Sequence, residues 1–216
     1  MSDLVVTERT KVRRRAARGR YDRDTVYAIL DEGLVAHVGF AVDGQPFVIP
    51  VVYGRAGDRL LLHGSVASRM LRTLRDGLAV CVTVTIVDGI VLARSVFHHS
   101  MNYRSVVVLG RAVEISDMDA KVEALRAIVD HVAPERWGVA RTPTAEELRA
   151  TTVLELAISE ASAKVRTGPP LDDDGDLERP CWAGEIPLRM TALAPVADPA
   201  LAPGIELPPS VATYRP

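Results

Sequence analysis

The dipeptide Asp43-Gly44, set between the apolar runs 34–42 and 45–53, is the feature that most limits how this chain can fold. Both turn positions of a type I′ hairpin require positive φ, which Asp and Gly tolerate, and β-branched and aromatic residues flank the pair. A two-stranded antiparallel unit is predicted there. A second turn at Ala56-Gly57-Asp58 delivers Arg59–His63 as a third strand, which makes a meander and not a βαβ unit. Leu78–Val87 and Ile90–Phe97 read as two more strands joined through Asp88-Gly89, followed by Ser105–Ile115 and by closing strands over Thr152–Ile158 and Ala163–Thr167. Helices are predicted from Asp22 or Asp24 to Gly33, from Ser65 or Ser68 to Gly77, from Asp117 to about His131, and from Thr144 to Arg149. Strands at hairpin spacing with helices between and beside them give the fold class: mainly β with peripheral helices, a small antiparallel barrel.

Composition narrows the function. With 216 residues, 48% of them hydrophobic, and a formal net charge of −2, the chain suits one domain with a substantial core. Residues 1–20 are expected to form a basic, solvated arm because of the run KVRRRAARGR, residues 21–190 the folded domain, and residues 191–216 an extended or disordered Pro/Ala-rich tail. The near-neutral charge argues against a nucleic-acid partner. No apolar stretch approaches the roughly 20 residues of a membrane span. Cys81 and Cys181 lie too far apart for a disulfide framework or a zinc spacing, which fits a reducing, cytoplasmic setting.

No dinucleotide, Walker, zinc-protease or nucleophile-elbow motif is present. A metal site is not expected: adjacent His98 and His99 would face opposite ways on a strand, and Asp172–Asp176 lacks the closing Glu of a calcium loop. His37 and His63 sit in apolar strands, where bonding to a backbone carbonyl is the ordinary role. The stretch HGSVASRMLRTL, 63–74, carries more. A strand runs into His63-Gly64-Ser65 and a helical pattern opens at once, so backbone N–H groups, the hydroxyls of Ser65 and Ser68 and the Arg69 guanidinium can converge where the helix dipole is positive. That outlines a phosphate cradle. The polar and aromatic segment 98–105, between two apolar runs, is a second candidate for function.

The ordered set FVIPVVY at 47–53, HGSVASRM at 63–70, HHSMNYRSVVVLGRA at 98–112, Lys121, SAKVRTGPP at 162–170 and WAGEIPL at 182–188 resembles the FMN-binding split β-barrel proteins related to pyridoxamine 5′-phosphate oxidase, in particular the nitroimidazole-resistance branch. The resemblance implies a homodimer with FMN at the subunit interface. It implies that Val48, Ile49, Pro50, Val51, Val52 and Tyr53 run beside the flavin ring, and that His63, Gly64, Ser65, Ser68 and Arg69 hold the ribityl and phosphate. It further implies polar contacts from Asn102, Tyr103, Arg104 and Ser105, with Arg104 as second phosphate partner, and Trp182 near the flavin or the dimer seam. The chain departs from true pyridoxamine phosphate oxidases, having one Arg, at 69, where an Arg-Lys pair is usual, which argues against pyridoxamine phosphate as substrate.

These expectations describe a flavin-dependent oxidoreductase acting on a small electrophile. The flavin supplies the redox chemistry, so no acid/base pair is needed and no catalytic residue is assigned. Two other readings stay open: a protein that stores or senses flavin without turnover, and a split barrel that binds deazaflavin or haem, with His98 or His99 as the axial ligand in the haem case.

Overall fold

The computed structural model describes residues 3–215; residues 1, 2 and 216, at the ends of the expected arm and tail, lie outside it. Asp22 caps α1 (Arg23–Glu32) by accepting from the Thr25 N–H, and Gly33 ends it. The predicted hairpin forms between β2 (Val35–Val42) and β3 (Gln45–Ala56), with Asp43 at φ 50° and Gly44 at φ 78°. β4 (Arg59–Ser65) pairs with β3, and α2 (Arg69–Arg75) follows under the N-cap Ser68. Next come β5 (Ala79–Leu92), β6 (Ser100–Arg111) and the short β7 (Val113–Glu114). α3 (Met118–Val132) and α4 (Ala145–Arg149) start at Asp117 and Thr144, and Thr144 forms a capping box with Glu147. β8 (Thr151–Ala157) and β9 (Glu160–Arg166) follow each other closely but pair with different strands, β8 with β4 and β9 with β6; β1 (Gly19–Arg20) pairs with β9, β10 (Gly184–Pro187) pairs with β5, and α5 (Pro209–Ala212) is a single turn near the end.

The ring closes through one bent strand. β2 pairs with β3 and β5, β3 with β4, and β4 with β8; β6 pairs with β5, and after Ala112 the same chain direction continues as β7 against β8. Inside, period-two alternation turns Val38, Leu60, Leu62, Val82, Val106 and Leu156 into one core, each at most 1% exposed. A second core lies outside the ring, where α3 covers Leu61 and Val153 with Leu125 and Ile128. α3 can approach this closely because it crosses β3 at Gly54, whose hypothetical Cβ would stand 2.8 Å from the Ile128 Cα.

Two sequence expectations fail here. Asp88-Gly89 makes no hairpin: β5 runs straight through it, with a bulge between Val87 and Gly89, because Gly89 finds partners on both sides, Asn102 of β6 and Pro187 of β10. Residues before 21 do not stand apart either. Leu4 is buried in the main core, Thr7 and Arg9 bond Glu160, and β1 extends the sheet, so the segment is tied to the domain at both ends while residues 13–17 of the basic run stay exposed. The tail beyond 190 has little regular structure, as expected, but residues 188–192 and 212–215 lie against β2 and β5 and enclose a cavity. No helix among the described residues is long and apolar enough to cross a membrane.

Candidate functional site

The cradle takes shape as a turn between a strand end and a helix start. Ser65 Oγ accepts from the Ala67 N–H at 3.1 Å and Ser68 Oγ from the Leu71 N–H at 3.4 Å. A Cβ at Gly64 would meet Leu71 Cδ1 at 2.9 Å, so a larger residue there would displace the buried Leu71 side chain. The first turn of α2 contains no acidic residue, and the exposed Arg69 rests its guanidinium 4.7 Å from the Phe47 ring centre with no carboxylate in reach among the described residues. A cation and a positive helix end thus lie side by side without an anion to neutralise them. His63, half-buried, keeps an unpartnered Nδ1, and burial pushes its pKa down, so it stays neutral. Sequence reasoning placed Lys121 only as a family marker. It is buried beside this turn, donating to the Thr151 carbonyl at 3.1 Å, and Thr151 faces Ser65 across β4 and β8.

Strand β3 divides where a continuous ring-side wall was expected. Val48 and Val52 face outward, 64% and 42% exposed, and Pro50 lies between them on the same face; Val51 packs against the core. Ile49 lies in register with the buried Val38. Tyr53 is fully buried, its hydroxyl donating to the Leu30 carbonyl and its pKa pushed up by burial, and it offers no surface to a ligand. Alternation explains the split, because successive strand residues cannot share a face.

The segment 102–105 serves three purposes. Asn102 is buried, donating to Glu185 and accepting from Arg166, whose guanidinium also donates to the Gly168 and Pro169 carbonyls while its Nε has no partner. That network fastens β10 and the chain after β9 to β6. Tyr103 and Ser105 are half-buried, and Ser105 donates to the Lys164 carbonyl. Arg104 is not a partner of Arg69 within this chain. It grips Asp88 through Nε and Nη2, at 3.0 and 2.7 Å, and Glu32 at 2.6 Å, which raises its own pKa and holds the Glu32 carboxyl below the usual range. Asp88 reaches it because the bulge leaves that residue outside the ladder. Trp182, 66% exposed, stacks its ring over Gly184 at the start of β10.

Arg104 belongs instead to the rim of the cavity, about 1140 Å³ in volume, between the outer faces of β2 and β5 and the C-terminal tail. Val35, His37, Thr85 and Val87 form its floor, and Leu188, Met190 and Tyr214 its cover. Ordinary small-molecule pockets measure roughly 300–1,000 Å³, so this space suits a large, mostly apolar ligand. The sequence predicts for His37 a bond to a backbone carbonyl, which it does not make among the described residues, and for residues 191–216 an extended or disordered tail, whereas residues 191–192 and 212–215 line this cavity. His98 and His99 are elsewhere, the first on Asp173 and the second accepting from the Ala93 N–H.

With this geometry in hand, known proteins can be set beside it. The family model for pyridoxamine 5′-phosphate oxidase matches residues 22–165. The flavocytochrome Anf3 from Azotobacter vinelandii is 46% identical, with 97% of each chain covered and a TM-score of 0.92. An FAD and haem binding protein from Mycobacterium smegmatis is 40% identical over 90% of this chain and 95% of that one, TM-score 0.87. A 5-nitroimidazole resistance protein from Bacteroides thetaiotaomicron, 24% identical over 68% of this chain and 86% of that one, shares the fold at TM-score 0.57. A comparison with curated proteins finds no match. A barrel closed through β6 and β7, a cradle at the β4–α2 turn and a family match over residues 22–165 lead to one statement: the chain belongs to the pyridoxamine 5′-phosphate oxidase family of split β-barrels.

Proposed function

We propose that this protein is a two-cofactor redox protein that binds a flavin at the β4–α2 cradle and a haem in the cavity beneath the C-terminal tail. The observation that carries the reading is one of extent. The family model stops at residue 165, whereas the likeness to Anf3 extends over 97% of the chain and so takes in most of the stretch after 165, from which part of the cavity lining comes. Both full-length relatives are described as binding flavin together with haem, or as a flavocytochrome.

The residues fit both groups. A flavin phosphate suits an unneutralised Arg69 beside a helix start without acidic residues, and Val48 and Val52 offer the adjacent apolar surface. A haem suits a cavity of about 1140 Å³ with Val35, Val87, Leu188 and Met190 in its lining, an imidazole on its floor, and Arg189 and Arg215 at a rim where Glu32 and Asp88 are taken up by Arg104. Bound there, a flavin supplies exchange between two-electron and one-electron chemistry, and a haem supplies a one-electron centre. The chain holds the two at separate sites, the flavin at an exposed face beside α2 and the haem between the sheet and the tail. We propose FAD in place of FMN because the mycobacterial relative is an FAD protein. A homodimer in the cytoplasm, passing electrons to a small electrophilic acceptor, completes the reading; the exposed apolar residues of β3, beside the cradle and the flavin, are the surface that a second copy would cover. Denaturing the purified protein and identifying what it releases tests this. FAD and haem together are expected, and flavin without haem would reduce the protein to a simple flavoprotein.

A further inference from the structure

We propose that His37 is the protein ligand of the haem iron, an assignment that rests on the haem reading above and adds to it the atom that binds. Side chains able to hold haem iron are His, Cys, Met and Tyr. Around the cavity these are His37, Met190 and Tyr214. Met190 and Tyr214 belong to the irregular tail, where Met190 is 70% exposed and Tyr214 half-buried, and neither stands on the sheet. His37 stands on β2, paired on both sides in the middle of the sheet, in register with Pro50 of β3 and Thr83 of β5.

The sequence around His37 explains why it is free. Ala36 and Val38, its neighbours, are fully buried in the barrel, and alternation therefore throws His37 outward onto the cavity floor. Its ring makes no hydrogen bond among the described residues, and Pro50 beside it offers no side-chain donor or acceptor. The other four of the five histidines are engaged or enclosed. His98 holds Asp173, His99 accepts from Ala93, His131 pairs with the Gly33 carbonyl at 2.7 Å, and His63 lies half-buried with its Nδ1 enclosed. Charge agrees with the assignment. Arg189 and Arg215 line the same cavity without a carboxylate in reach among the described residues, whereas Arg104 is already held by Glu32 and Asp88. Two free cations beside an apolar slot suit the two propionates of a haem, and the imidazole on the rigid floor suits its iron.

The test is hemin titration of the full-length chain, followed at the Soret band. His37→Ala should weaken hemin binding at least tenfold and move the Soret band away from its wild-type position, with added imidazole moving it back; flavin content and far-UV circular dichroism should match the wild type. His37→Met, which retains a ligand of another class, should bind hemin with a Soret position unlike either. The double variant His98→Ala/His99→Ala should titrate as the wild type does. A His37→Ala protein with the wild-type Soret band and affinity would overturn the assignment while leaving the haem reading intact. If wild-type protein takes up no hemin, the haem reading falls and the assignment falls with it. Should His37→Ala fail to fold, His37→Met alone decides, since an unchanged Soret band in that variant excludes His37 as the ligand.

Discussion

The cradle and the cavity are assembled in opposite ways. Everything in the cradle comes from neighbouring residues: a strand end, Gly64, two serines and Arg69 fall within seven positions, and helix capping alone brings them together. The cavity joins His37 on β2, Arg104 on β6 and Tyr214 near the C-terminus. No local rule connects such residues. A site made by capping is specified by local propensity, while a site made by tertiary closure depends on the sheet register and on a tail whose sequence has no period of its own.

Substitutions should separate the two regions. The largest expected effect is at Arg69. Arg69→Ala removes a charge-assisted contact worth about 1.5–3 kcal/mol of flavin affinity, and isothermal titration of the apo protein should show it with haem binding unaltered. The sharper half of that experiment is Arg104→Ala, expected to leave flavin affinity unchanged because Arg104 is committed to Glu32 and Asp88. A flavin penalty at Arg104 equal to that at Arg69 would merge the two sites.

Gly64→Ala comes next. The added methyl would press on Leu71 Cδ1 at 2.9 Å, and this buried side chain must shift, at a cost of about 1–3 kcal/mol seen in chemical denaturation and a weaker flavin complex. An unchanged midpoint would show that the strand-to-helix junction is looser than its geometry implies.

Smallest is the ion pair at the cavity rim. The Glu32 side chain is 46% exposed, so its pairing with Arg104 contributes at most about 1 kcal/mol after screening. Its pKa is lowered from 4.5, first by the Arg104 hydrogen bond; the folded state therefore releases the proton more readily than the unfolded one. This stabilisation is fully present above pH 4.5 and is lost as pH falls through the lowered value. Glu32→Gln should flatten that part of the stability profile and leave neutral-pH stability within about 1 kcal/mol of wild type.

Much of the fold was legible because its signals are local. Asp43-Gly44 sets its hairpin, Asp117 and Thr144 cap their helices, and alternation marks the barrel core. Asp88-Gly89 misled because the same residues that turn a hairpin also tolerate a bulge, and only the partners Asn102 and Pro187, supplied from elsewhere in the chain, decide between them. The strand-to-helix turn at residues 63–69 was readable for the same local reason. The resemblance places Arg104 there too, yet its carboxylate partners come from α1 and the β5 bulge, which no spacing foretells. His37 looked like a core residue because its neighbours are apolar; it is the register of β2 that turns it outward.

The central claim is that one chain carries two sites that fill independently. Adding FAD and then hemin to the apo protein in one cuvette, and repeating in the reverse order, tests it directly. The account predicts separate saturation of the flavin and Soret bands, each equimolar with the chain and unaffected by order. Displacement of one cofactor by the other, or a Soret band that never develops, would contradict it.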